Sequence, residues 1–226
     1  MPIHLAHIRA FLNRPGIEGP QQLRGYIPCL WDPAGAAPGA PRRSRNYTGQ
    51  PRPEEYTPMG VSGVTIATGV DLGQIGAEEL RVLRGPRPQG FGLSDAIANA
   101  LAPYLGLRGD AAVRALRRLP LAVSRTTADA LDDAVHGMHA ARIAARYDQD
   151  SPIAPFASLP PQAQAAIFSL LYQLGCGGGP RRAPRTWAAF LSGDWRDAAA
   201  RLGKGSLWEG YQARRALEGK HLKELC

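Results

Sequence analysis

Cysteine is scarce: the 226 residues hold three, Cys29, Cys176 and Cys226. No two form a C-x-x-C pair, which argues against a zinc site. The odd number argues against a full disulfide framework. They read as thiols, with a Cys29–Cys176 bridge as the alternative. Apolar runs long enough to span a bilayer are missing, so no membrane insertion is expected. A secretory signal is missing too. The opening "MPIHLAHIRAFLNRPG" has no basic start, its apolar residues are broken by His4 and His7, and no small-residue cleavage site follows. The expectation is a chain made in the cytoplasm that reaches any outside target by another route. No internal repeat is evident. Acidic side chains are outnumbered, 19 against 27 Lys and Arg, giving a formal charge of +8. That imbalance favours an anionic partner, whether nucleic acid, anionic lipid or an acidic bacterial wall. No helix-turn-helix, zinc or aromatic-platform signal accompanies the charge, so nucleic acid ranks last.

What is present is enough apolar material, 44% of residues, for a packed core in one domain with lobes. Ile3, Ile8, Phe11 and Leu12 mark a short amphipathic helix over 3–12, stopped by Pro15 and Gly16. Residues 32–60 are rich in Pro, Gly and Arg and show no apolar periodicity, which predicts a mobile flap outside the core. In "SGVTIATGVDLGQ", residues 62–74, alternation predicts a strand that Gly69 breaks. Beyond Gly76 the pattern is helical. Ser94 caps one segment carrying Ile97, Leu101 and Leu105; Thr126 or Thr127 caps another carrying Leu131, Val135 and Met138. Ala163, Ala166, Ile167, Leu170, Leu171 and Leu174 make one apolar side of a buried helix. "GCGGGPRRAPR" at 175–185 reads as a flexible basic loop. Asp194 caps a short helix, and a last helix runs from about 207 to 225. The fold class is therefore α+β, mainly α: a ribbon region over 1–90 and a helical lobe over 91–226.

Glu18 lies between Gly16 and Gly19, where small residues allow close approach of a ligand. Thr65 and Asp71 each have ordinary readings, as a strand residue and a helix cap. Together the three suit glycoside hydrolysis, which needs one carboxyl as general acid and another as base or nucleophile. A Thr hydroxyl can hold a water between them. His136 and His139 stand i, i+3 but have no third ligand, so neither a metal nor another cofactor is expected.

The order E-G at 18–19, "LRGYIP" at 23–28 and "SGVTIATGVDLGQ" at 62–74 resembles pesticin-type toxins, the bacterial toxin relatives of phage-type lysozymes. "LPPQAQAAIFSLLYQLG" and "WEGYQARRALEG" resemble that family's central and terminal helices. The resemblance implies a lysozyme-like domain and a catalytic trio at Glu18, Thr65 and Asp71. It implies peptidoglycan strands as substrate, cut at the β-1,4 bond between N-acetylmuramic acid and N-acetylglucosamine. Tyr26, Gln173 and Arg214 are the candidate substrate contacts. Gln173 reads equally as a core amide, and Arg214 or Arg215 as a partner of Glu218. Asp32 is a rival second carboxylate. An inverting enzyme would place the carboxyls of Glu18 and Asp71 roughly 6.5–9.5 Å apart with water held by Thr65. A toxin would carry a cognate immunity protein, act as a monomer, and reach the wall or periplasm of its target by delivery; an endolysin would reach it by lysis. A wall-binding module without catalysis, and a basic nucleic-acid-binding protein, are the competing classes.

Overall fold

A computed structural model describes residues 2–31, 43–49, 55–87, 90–204, 208 and 211–226. The chain packs as two compact units. One comprises residues 1–20 and 136–226, the other 21–135. The division suggested by the sequence, near residue 90, is not the one that packing makes.

In the second unit the long strand β1 (Gln22–Trp31) is the axis of the sheet. Its latter half pairs antiparallel with β2 (Arg43–Tyr47) and with β3 (Tyr56–Pro58). Its first half pairs with β4 (Thr65–Ala67), which turns back into β5 (Val70–Asp71). The register shifts between Gln22 and Tyr26. There β1 leaves β4, and Leu23 and Gly25 exchange backbone hydrogen bonds with residues 121–123. β2 and β3 correct the expectation of a flap over 32–60. Pairing with β1 gives these segments a ladder that composition does not show. Tyr47 is buried, its ring 5.1 Å from that of Tyr56, and the Arg45 guanidinium sits 4.0 Å over the Trp31 ring. Residues 32–42 and 50–54 of that segment, and with them Asp32, lie outside the described residues.

Short helices complete this unit: α2 (Ala77–Arg84), α3 (Asp95–Leu101) and α4 (Gly109–Arg118). Ser94 caps α3 as expected, accepting from the Ile97 N–H at 3.3 Å. α5 (Arg125–Asp150) begins one cap earlier than expected. The Ser124 hydroxyl, not Thr126 or Thr127, takes the first-turn N–H, that of Thr127, at 3.1 Å. Leu131, Val135 and Met138 are buried along α5.

The first unit is helical. α1 (Leu5–Leu12) packs on α6 (Pro161–Leu174), and α10 (Gln212–Leu222) packs on both α6 and α9 (Trp195–Leu202). α6 is buried on every side from Ala163 to Leu171, not along one stripe. Helices on more than one side leave it no solvent face, so its residues are small or apolar except Gln164 and Ser169. The stretch expected as a flexible basic loop instead forms α7 (Gly178–Arg182) and runs into α8 (Pro184–Leu191). Ala183 and Trp187 anchor it in the core. Asp194 caps α9 as expected, at 2.9 Å from the Asp197 N–H. α10 is shorter than expected and ends in a 3-10 turn over Lys223–Leu225. All three cysteines are free thiols.

Candidate active site

The ribbon places two of the expected residues side by side. Thr65 on β4 is directly opposite Asp71 on β5, and on its other flank opposite Tyr26 on β1. Directly paired residues of antiparallel strands point to one face, with Cβ atoms about 4.5–5.5 Å apart. Tyr26, Thr65 and Asp71 therefore form one row across three strands. The row exists because Ile66 pairs with Val70, so three residues, Ala67 to Gly69, make the turn. Gly69 has φ 70°, and Ala67 is left-handed at φ 51°, the one non-glycine of that kind among the described residues. Such a residue costs on the order of 1 kcal/mol or more and persists only where its surroundings enforce it. The enforcing group is Asp132 of α5. It accepts the Thr68 N–H at 2.9 Å on Oδ1 and the Thr68 hydroxyl at 2.8 Å on Oδ2. The Gln21 amide donates to the same Oδ2 at 2.9 Å.

Asp71 is held with similar care. Its Oδ1 accepts the backbone N–H of Gly63 at 3.0 Å and of Gly73 at 2.9 Å. Both positions need glycine for close approach. A Cβ on Gly63 would stand 2.5 Å from the Gly73 Cα, and one on Gly73 2.6 Å from the Leu107 carbonyl oxygen. Asp71 Oδ2 faces the Gln74 amide at 3.4 Å. Burial pushes the Asp71 carboxyl above the usual aspartate range. The two glycine N–H groups, Gln74 and the Arg108 guanidinium pull it partly back. Thr65 itself is buried.

Glu18 belongs to the other unit. It follows the turn that ends α1, where its N–H bonds the Leu12 carbonyl at 3.0 Å. Gly16 in that turn has φ 88°, which favours glycine. The Arg214 guanidinium donates to Glu18 Oε1 at 2.5 Å. Arg214 is itself fixed, donating to the Ser169 carbonyl at 3.1 Å and hydroxyl at 3.0 Å, with Glu218 Oε1 at 3.4 Å. Arg215 donates to Glu218 Oε2 and to the Gln173 side-chain Oε1. Glu218 and Arg215 are fully buried. Burial pushes the Glu218 carboxyl up and the Arg215 guanidinium down, and the charge of each opposes the shift of the other. Both arginines thus pair with Glu218. Arg214 is a buried support for Glu18, and its pairing with Glu218 is the structural alternative that the sequence offered. A pocket of about 290 Å³ opens here, lined by Gly16, Ile17, Gln173, Tyr211, Gln212, Ala213 and Arg214 itself.

His136 and His139 both set their rings edge-on to Tyr172. No group of three or more His, Cys, Asp or Glu able to hold a metal occurs among the described residues. No helix among them is long and apolar enough to cross a membrane. Sequence reasoning missed Asp132, Gln74, Arg108 and Ser169. Asp132 had a signal, an acid set between Leu131 and Val135 on an apolar face.

None of the curated proteins compared with the chain matches it. A family model described as pesticin, "bacterial toxin homologue of phage lysozyme", matches residues 42–196. That stretch carries Thr65, Asp71, Asp132 and Gln173; Glu18, Tyr26 and Arg214 lie outside it. With 155 of its 226 residues matched, the chain belongs to the pesticin family of bacterial toxin homologues of phage lysozyme, and its mainly helical α+β fold is lysozyme-like.

Proposed function

We propose that the chain is a muramidase that hydrolyses the β-1,4 bond between N-acetylmuramic acid and N-acetylglucosamine in peptidoglycan. The observation that carries this reading is the cross-strand pair of Thr65 and Asp71, with the carboxylate anchored through one oxygen. Two backbone N–H groups occupy Oδ1, so Oδ2 is the oxygen that takes a proton from water. A carboxyl raised by burial is the stronger base once ionised. Thr65 beside it can accept one hydrogen bond from that water and donate another. Glu18 supplies the acid. Arg214 occupies its Oε1, which leaves Oε2 to carry the proton to the departing glycosidic oxygen.

In this reading the reaction inverts the anomeric centre. Water attacks from the face opposite the leaving group, and no glycosyl–enzyme bond forms. Tyr26, in the same row as Thr65, and Gln173, beside the Arg214 pocket, contact the glycan. The chain acts as a monomer on the wall of a target cell after delivery or lysis, and a cognate immunity protein protects a toxin's producer. The family's description as a toxin homologue of phage lysozyme supports the substrate class.

The test is clearing of purified cell walls, followed by analysis of the released fragments. New reducing ends on N-acetylmuramic acid are expected. On a defined oligosaccharide, NMR before mutarotation should show the α-anomer first. Walls left intact by the wild-type protein would remove the reading. A β-anomer would remove only the inverting mechanism and the water-holding role of Thr65.

A further inference from the structure

Gln74 ends the ribbon motif, and Arg108 stands in the segment before α4. Neither has a part in the chemistry above. Both are exposed, yet they meet over Asp71. The Arg108 Nε donates to the Gly73 carbonyl at 2.8 Å, and its Nη2 donates to the Gln74 Oε1 at 2.9 Å. The Gln74 Nε2 then faces Asp71 Oδ2 at 3.4 Å.

The orientation of that amide is not free. A guanidinium has only donors, so the Gln74 end that meets it must be the carbonyl oxygen. The opposite end, the NH₂ group, is thereby turned to the carboxylate. Were the amide reversed, its oxygen would confront Asp71 Oδ2, two acceptors with no proton between them. The second bond of Arg108, to Gly73, ties the guanidinium to the residue whose N–H grips Asp71 Oδ1. One cation thus braces both carboxylate oxygens through intermediates.

We propose that Gln74 is a positioning residue for Asp71, its amide orientation set by Arg108, and that the pair keeps the base ionised toward lower pH. This rests on the reading of Asp71 as the base. The physical need is plain. Burial favours the protonated, inactive form of Asp71, and hydrogen bonds to the ionised form oppose it. Among the described residues Arg108 is the charged side chain that acts on Asp71, and its strand partner Thr65 and its side-chain partner Gln74 carry no charge.

The experiment is an NMR titration of the Asp71 carboxyl carbon, assigned by its loss in Asp71→Asn. Gln74→Leu should raise the midpoint by about half to one pH unit, less than a short hydrogen bond to a charged group would give because this contact is 3.4 Å long. Arg108→Met should raise it similarly. In the double variant the shift should fall short of the sum of the single shifts, because Arg108 acts partly by its charge and partly through Gln74. The acid limb of wall clearing should shift by the same amount. A midpoint unmoved by Gln74→Leu would overturn the proposal. So would fully additive shifts, which would mean that Arg108 acts by charge alone. The titration needs no turnover, so it separates two failures. Shifted midpoints without wall clearing would refute the muramidase reading and leave the positioning intact. Wall clearing with unshifted midpoints would refute the positioning alone.

Discussion

In the proposed mechanism Asp71 meets opposing demands from catalysis and from folding. Its carboxyl is raised by burial, and a base works only when ionised. Activity should therefore fall as pH drops through a range above that of an ordinary aspartate, near 3.9. The linkage to stability follows the same sign. A group with a native pKa above its unfolded one stabilises the fold when protonated. Its contribution is complete below the unfolded value and is lost as pH rises through the native one. Asp71→Asn keeps the acceptor for Gly63 and Gly73 but cannot ionise. It should melt at a higher temperature than wild type at neutral pH while wall clearing falls about 10²–10⁴-fold. An equal or lower melting midpoint at pH 7, with no convergence of the two proteins in acid, would contradict this account. Glu18→Gln should lose activity by a similar factor, since an amide is far too weak an acid to protonate a leaving oxygen. Lysis at a near wild-type rate would remove Glu18 from its role.

At the scale of elements, α6 is the core of its unit. Leu170→Ala should cost about 2–5 kcal/mol, read as a lowered denaturant midpoint, because the side chain is fully buried. On the ribbon, Asp132→Ala would strand the Thr68 N–H and release the turn held at Ala67. About 1–3 kcal/mol of stability should go with it, together with much of the activity. Unchanged lysis by that variant would mean that the turn keeps its shape without α5. Such elements differ in how plainly the sequence shows them. α6 is legible from period alone, and α3 and α9 from Ser94 and Asp194, because helix signals are local. The pairing of Thr65 with Asp71 is nearly local, since three turn residues fix it. β2 and β3 are not legible. Their partner β1 is a near neighbour in the chain, but the Pro, Gly and Arg around them obscure a short aromatic pattern. α7 was hidden by its glycines, and the brace at Glu18 by its distance in the chain, 196 positions, from Arg214. Replacing residues 34–57 with a Gly/Ser linker should accordingly disrupt the sheet, because Tyr47 goes with it. A cooperative, near wild-type melt of that variant would restore the flap.

For the whole molecule, the excess of cations should speed its encounter with an anionic wall, if that is the substrate as proposed. Clearing of intact walls should weaken as salt is added, while turnover of a short neutral glycan should change much less. Equal salt sensitivity on both would show that the charge serves the chemical step instead. The three thiols have a separate consequence for how the protein behaves in air. Burial pushes Cys29 up to about 11 and Cys176 upward as well, so neither readily offers the thiolate that attacks a disulfide or an alkylating reagent. Cys226 is exposed and one residue beyond the 3-10 turn. It is the chemical handle of the molecule, the place for a fluorophore or spin label. It is also where two copies should join on oxidation. Cys226→Ser should abolish any dimer band on a non-reducing gel. Such a band would record the sample's exposure to oxygen rather than its quaternary structure.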